Sequence, residues 1–188
     1  MVQMSNLSVR RVLDEETEAA FSVLVRVAAW LEHKGRRQRI SKTTLETYMM
    51  WQKRGANYAV LDDGLILGVF SLPREPLYEW PKVAIKEPVA WLRALATDPD
   101  HHRKGIGTFA VAKALQTVGP PEPLYLDCVS DFLPSYYESL GFETVACQTR
   151  TYPEEEHPLD MTLLRHRNVE HRLPTKYPRQ DSNLRHPA

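Results

Sequence analysis

The sequence predicts a mixed α/β domain, and three observations carry that expectation. Strand-like and helix-like runs alternate from Leu7 to Leu164. Two β-rich runs flank the turn Asp62-Asp63-Gly64. An apolar run, Val89 to Thr97, leads through His101-His102-Arg103-Lys104-Gly105-Ile106-Gly107-Thr108 into a helical run, Phe109 to Thr117. With 188 residues, 43% of them hydrophobic, the chain can bury a core of its own.

The elements follow in order. Leu7 to Leu13 reads as a strand. Asp14 caps a helix whose first turn carries Glu15, Glu16 and Glu18, where acids complement the helix dipole. Phe21, Leu24, Val27, Ala28 and Leu31 recur at helical spacing, and Gly35 ends the run. The basic segment Lys34 to Arg39 reads as a solvated loop or, as the alternative, a ligand-facing one. Ser41 is the expected cap of a second helix, Lys42 to Arg54, stopped by Gly55. Asn57–Leu61 and Leu65–Leu72 around the Asp-Gly turn form a hairpin. Leu72 to Pro88, with Pro73, Pro76, Pro81 and Pro88, is a long loop. Within it Trp80 and Tyr78 either anchor it to the body or line a pocket. After the strand, glycine loop and helix, Gly119 to Pro123 breaks the chain. Pro123–Val129 is a strand, Pro134–Leu140 a short helix ended by Gly141, and Phe142–Gln148 and Met161–Leu164 the last strands, with a loop at 152–158.

The domain is expected to occupy 1–168. Residues 169–188, rich in Pro, Arg, His and Asn and without periodicity, read as a disordered tail. Gln180-Asp181-Ser182-Asn183-Leu184 is encodable by the complement of a tRNA gene's T-arm, and the DNA sequence would test whether the tail is read-through.

Composition removes several function classes. The 24 basic and 24 acidic residues give no electrostatic case for a nucleic-acid or acidic-membrane partner. No apolar run approaches the ~20 residues that cross a bilayer, and no signal peptide is evident. Cys128 and Cys147 show no CxxC spacing, so a reduced, cytoplasmic protein without a metal site is the expectation.

The glycine loop carries the chemistry. Gly105 and Gly107 bare backbone N–H groups, the following helix aims its unpaired N–H groups at the same point, and Arg103 and Lys104 add positive charge. The guest is expected to be a phosphorylated cofactor. A Walker loop is excluded, because GxxxxGK[ST] does not occur here. A dinucleotide fingerprint is formally matched by Gly105, Gly107 and Ala110, with Asp127 as its acid. Against it, Asp98 to Lys104 intervenes between strand end and first glycine, and the unit follows a hairpin mid-chain.

Leu95-Ala96-Thr97-Asp98-Pro99 with Arg103-Lys104-Gly105-Ile106-Gly107-Thr108 resembles the acyl-CoA-binding motif of the GNAT superfamily of N-acetyltransferases. Tyr137-Glu138-Ser139-Leu140-Gly141-Phe142 resembles the segment that closes those domains, and a strand lies between the two, as in the family. The element order agrees from Leu7 to Leu164. His102 stands where the family usually has Arg or Gln, Thr97 where it has Val, and Ser130 or Asp131 where many members have Asn.

The resemblance implies a mixed sheet of about six to seven strands, flanked by about four helices and splayed between Val89–Thr97 and Leu124–Val129. Backbone groups of Leu95, Ala96 and Thr97 would pair with the pantetheine arm of acetyl-CoA. Arg103, Lys104, Gly105, Ile106, Gly107 and Thr108 would hold the pyrophosphate, with Ser130 assisting. The chemistry implied is direct acyl transfer from the thioester to an amine, with a strand N–H stabilising the oxyanion. Tyr137 matches the family acid that protonates the thiolate; either it or its neighbour Tyr136 simply packs. Asp127 is the candidate base, unless it points away or pairs with a cation. His101 and His102 sit on the phosphate side, and Cys128 reads as a buried strand thiol rather than a nucleophile.

The expected acceptor is a small-molecule or peptide amine. A non-catalytic acyl-CoA sensor and a nicotinamide-dependent oxidoreductase are the competing classes. Glu75, Glu79 and Asp62 are acids that suit a cationic amine or plain solvation. Oligomeric state stays open, a homodimer included.

Overall fold

The computed structural model describes residues 6–36, 43–152 and 157–168. The 169–188 tail, the Ser41 cap and parts of the two loops at 34–39 and 152–158 lie outside the described residues.

Strand β1 (Leu7–Arg11) leads through a 3₁₀ turn (Asp14–Glu16) into helix α1 (Thr17–His33). Glu16 reaches back to the Leu13 N–H at 3.1 Å and grips Arg10 at 2.6 Å, which ties the helix entry to β1. Helix α2 (Leu45–Lys53) is capped by the Thr44 hydroxyl, which accepts from the Thr47 N–H at 3.1 Å. Hairpin β2 (Asn57–Asp62) and β3 (Leu65–Ser71) turns at Asp63-Gly64, both with positive φ as a tight hairpin turn requires. The Leu72–Pro88 segment contains a short strand, β4 (Arg74–Glu75).

The run 89–97, expected as one strand, is two. β5 (Val89–Trp91) and β6 (Arg93–Thr97) are separated at Leu92, and Ala94 carries a φ of 49°. Ser71 pairs with Arg93 but Val69 with Ala96, so one extra residue bulges from β6. The bulge turns the strand from one sheet into another. Helix α3 (Ile106–Val118), strand β7 (Leu124–Val129), helix α4 (Leu133–Glu138), β8 (Glu143–Arg150) and β9 (Leu159–His166) complete the fold.

The two sheets run β1-β2-β3-β6 and β4-β5-β7-β9-β8. Every neighbouring pair of described strands is antiparallel except β5–β7. A doubly wound dinucleotide fold needs a largely parallel sheet, so that alternative falls here.

Strand alternation distributes the core. Ala59, Leu61 and Val69 pack against Ala20, Val23, Leu24 and Val27 of α1. Val60, Leu67 and Phe70 face the other way, onto Ile106, Ala110 and Ala114 of α3. On β7, Leu124, Leu126 and Cys128 join the α3 side, whereas Tyr125 and Val129 join a third cluster with Leu77, Trp80 and Met161. Trp80 therefore anchors the proline-rich loop, while Tyr78 is 83% exposed.

Candidate active site

The break at Leu92 makes the site. Trp91 still pairs with Tyr125, and the Leu92 N–H donates to the Tyr125 carbonyl at 2.7 Å. Beyond that point β6 follows β3 and β7 follows β9, so β6 becomes the edge strand of the first sheet. A wedge opens between them. Leu95, Ala96 and Thr97 line its β6 side, with Ala96 and Thr97 registered on Val69 and Gly68.

The glycine loop closes the mouth of the wedge. Asp98 organises it: its carboxylate accepts from the Asp100 N–H at 3.0 Å and from Arg26 of α1 at 2.6 Å. These bonds hold the Asp98 carboxyl below its ordinary range against the opposing effect of burial. Arg103 and Gly105 have φ of 61° and 77°, so the chain turns twice through the left-handed region before α3 begins. The Phe109 N–H bonds the Gly105 carbonyl at 2.9 Å, which leaves the N–H groups of Ile106, Gly107 and Thr108 ahead of the helical ladder. A methyl on Gly107 would stand 3.2 Å from the Tyr136 hydroxyl and 3.7 Å from Thr97 Oγ1. Gly68 matters as well, because a Cβ there would meet the Ala96 carbonyl at 3.0 Å and Ile106 at 3.4 Å. Its absence lets α3 settle on the sheet.

Thr97, Gly107, Thr108 and Tyr136 thus meet at one point. The Tyr136 hydroxyl lies 3.5 Å from Thr108 Oγ1, and burial raises its pKa. Tyr137 packs edge-on against Tyr136 and Phe142, with ring centroids at 5.1 and 5.7 Å. Burial pushes its phenol above the ordinary value, with Tyr136 and Cys128 adding to the effect. Cys128 is likewise pushed up to about 12 by burial, so it is a thiol and not a nucleophile at neutral pH.

Asp127 lies on the opposite face of β7 from Tyr137. Its Oδ1 accepts from Arg93 at 2.6 Å, and its Oδ2 accepts from the Trp80 indole at 3.2 Å with Arg150 at 3.5 Å. Each guanidinium stacks on a tryptophan, Arg93 on Trp91 at 3.9 Å and Arg150 on Trp80 at 4.4 Å. Arg150 also pairs with Glu79. No spacing in the sequence signals this cluster. Ser130 turns away from the wedge: its hydroxyl lies 2.6 Å from that of Thr162, and its N–H bonds the Asp160 carbonyl at 2.8 Å. His101 lies 3.8 Å from Asp98, and His102 bonds the Pro99 carbonyl at 2.7 Å and packs against Trp30 of α1.

The wedge offers an open strand edge, a helix N-terminus with no side chain at Gly107, and an apolar wall. A model of the acetyltransferase (GNAT) family matches residues 24–142, from α1 through the glycine loop to Phe142. The chain belongs to the GNAT acetyltransferase family. Solved structures agree on the GNAT fold. The ribosomal-protein-S18-alanine N-acetyltransferase of Escherichia coli is 18% identical with a TM-score of 0.62, over 85% of this chain and 92% of that one. A GNAT acetyltransferase of Listeria monocytogenes is 14% identical with a TM-score of 0.67, over 85% and 93%. The yncA acetyltransferase of Salmonella typhimurium, solved with its cofactor acetyl-CoA, is 17% identical with a TM-score of 0.62, over 90% and 98%. No curated protein sequence matches the chain. Among the described residues, no helix of this GNAT chain is long and apolar enough to cross a membrane, and no group of three or more His, Cys, Asp or Glu is placed to hold a metal ion.

Proposed function

We propose that the chain is an N-acetyltransferase, its domain spanning 1–168, that uses acetyl-CoA and a primary amine on a small molecule or peptide. The observation that carries this reading is the wedge between β6 and β7 with the glycine loop at its mouth. Acetyl-CoA, when bound, supplies an acyl group activated as a thioester. Leu95 and Thr97, alternating with Ala96 whose own backbone groups face Val69 of β3, present backbone groups at the open edge that an extended arm can pair with, as an added strand does. The N–H groups from Arg103 to Thr108 form the anion cradle, and Gly107 keeps it open. Tyr137 remains a protonated donor because burial disfavours phenolate, and direct transfer asks for such a donor at the departing thiolate.

Asp127 faces three donors in Arg93, Trp80 and Arg150, so both of its oxygens are engaged by neighbouring side chains. We assign it a positioning role: it holds Arg93 at the vertex where the sheets part. Ser130 acts at one remove, through its bond to Thr162 on β9.

The test is a pair of calorimetric titrations, acetyl-CoA and NAD(H), followed by CoA-thiol release on a panel of amines. Acetyl-CoA binding with amine-dependent thiol release supports the proposal. Binding of acetyl-CoA with no turnover on any amine supports a sensor instead.

A further inference from the structure

A cleft of about 480 Å³ opens beside the vertex. Its lining includes Met50 and Arg54 from the α2 end, Glu75 and Tyr78 from the proline-rich segment, and Trp91 and Arg93. Trp91 and Arg93 flank Leu92, where the chain leaves one sheet for the other, so the cleft adjoins the place where transfer is proposed. Its volume suits a small molecule.

The charges of this cleft cancel in an instructive way. Arg74 is bound through both terminal nitrogens to Glu122. Arg93 is paired with Asp127, and Glu79 with Arg150. Two charged side chains of the lining remain. Arg54 has no ion-pair partner among the described residues. Glu75 accepts a hydrogen bond from the neutral indole of Trp51 at 3.1 Å and has no cationic partner among them. The lining therefore carries one guanidinium, on the exposed Arg54, and one carboxylate, on the half-buried Glu75, that are outside any ion pair among the described residues. An acceptor with one cationic and one anionic group answers both. A polyamine would leave Arg54 facing like charge.

We propose that the acceptor is a zwitterion, a small amine that also bears an anionic group, with Arg54 reading the anion and Glu75 the ammonium. This rests on the acyl-transfer reading above and names its substrate class. The committed form of the anion is a carboxylate, as in an α-amino acid; a phosphate presents the same charge and is distinguished in the test.

Thiol release is measured on matched pairs: α-amino acids against the amines lacking the carboxylate, and phosphoethanolamine against ethanolamine. The expected result is a kcat/KM about tenfold or more in favour of the acid-bearing member, residing in KM, as a charge-assisted bond supplies. Arg54→Gln collapses that ratio toward one, while Arg54→Lys keeps the larger part of it. Calorimetric acetyl-CoA binding by each variant verifies that the fold is intact. A preference in the phosphate pair alone assigns the anion as phosphate and overturns the carboxylate form. Acid-free amines used as well as or better than their partners, or a ratio unmoved in Arg54→Gln, overturns the inference and leaves acetyl transfer standing. Acetyl-CoA binding without turnover on any member removes both.

Discussion

Arg93 clasps Asp127 where the two sheets part, Nη1 to Oδ1 at 2.6 Å, with the Trp91 ring 3.9 Å beneath the guanidinium. Arg150 and Trp80 repeat the arrangement on the other oxygen. The Asp127 side chain is only 5% exposed and sits between these two stacked guanidiniums. Asp127→Asn is therefore expected to leave Arg93 without an ion-pair partner, while Arg150 keeps Glu79, and to cost about 3 kcal/mol of folding stability. Urea unfolding at constant m checks this. An activity loss with unchanged stability would instead mark Asp127 as a base without a positioning role.

The contact between Gly107 and Tyr136 makes a second prediction. An added methyl would lie 3.2 Å from the phenol oxygen, close enough to push it aside. Gly107→Ala is expected to weaken acetyl-CoA binding about tenfold, since overpacking typically costs about 1–3 kcal/mol. Tyr136→Phe in the same chain removes the oxygen and is expected to restore part of the loss. Calorimetric titration of both variants decides; equal affinities would show that the cradle does not use this approach.

Asp98 joins α1 to the glycine loop through Arg26 and the Asp100 N–H. Asp98→Ala frees the loop from both anchors. Acetyl-CoA affinity should fall with little change in acceptor KM, because the acceptor cleft lies at the other end of β6. A fall in melting temperature with intact affinity would confine Asp98 to stability.

Burial raises the phenols of Tyr48, Tyr136 and Tyr137 above the ordinary value near ~10. In the unfolded chain these groups ionise near ~10, while in the folded chain they hold their protons to higher pH. The unfolded state then binds fewer protons, so their stabilising contribution is fully present below about pH 10 and is lost as pH climbs above it. Urea midpoints between pH 8 and 11 should fall only in the upper part of that range. The fall should be shallower in Tyr48→Phe, whose pKa is raised by burial alone.

Tyr137→Phe separates the acid from its neighbour. Its ring contacts with Tyr136 and Phe142 remain in the variant, which should therefore fold and bind acetyl-CoA. General-acid loss predicts a kcat fall of about 10²-fold or more. If Tyr136→Phe produces that fall and Tyr137→Phe does not, the donor is the phenol at Thr108.

Local spacing alone specifies much of this molecule. Gly105 before an apolar helical period allows the left-handed turn that opens α3, and Gly107 leaves that helix N-terminus without a side chain. The Asp63-Gly64 turn dictates its hairpin for the same reason, and the two family motifs name the family. The break at Leu92 is different. Val89 to Thr97 reads as one apolar strand, and it divides only because β3 and β7 draw its two halves into different sheets. The partners of Asp127 are equally invisible in sequence, since Arg93, Trp80 and Arg150 come from three distant segments. Which of two adjacent tyrosines meets the glycine loop depends on how α4 packs against β7. Backbone conformation follows from neighbours in the chain, whereas ion pairs, strand partners and the acceptor cleft are set by neighbours in space.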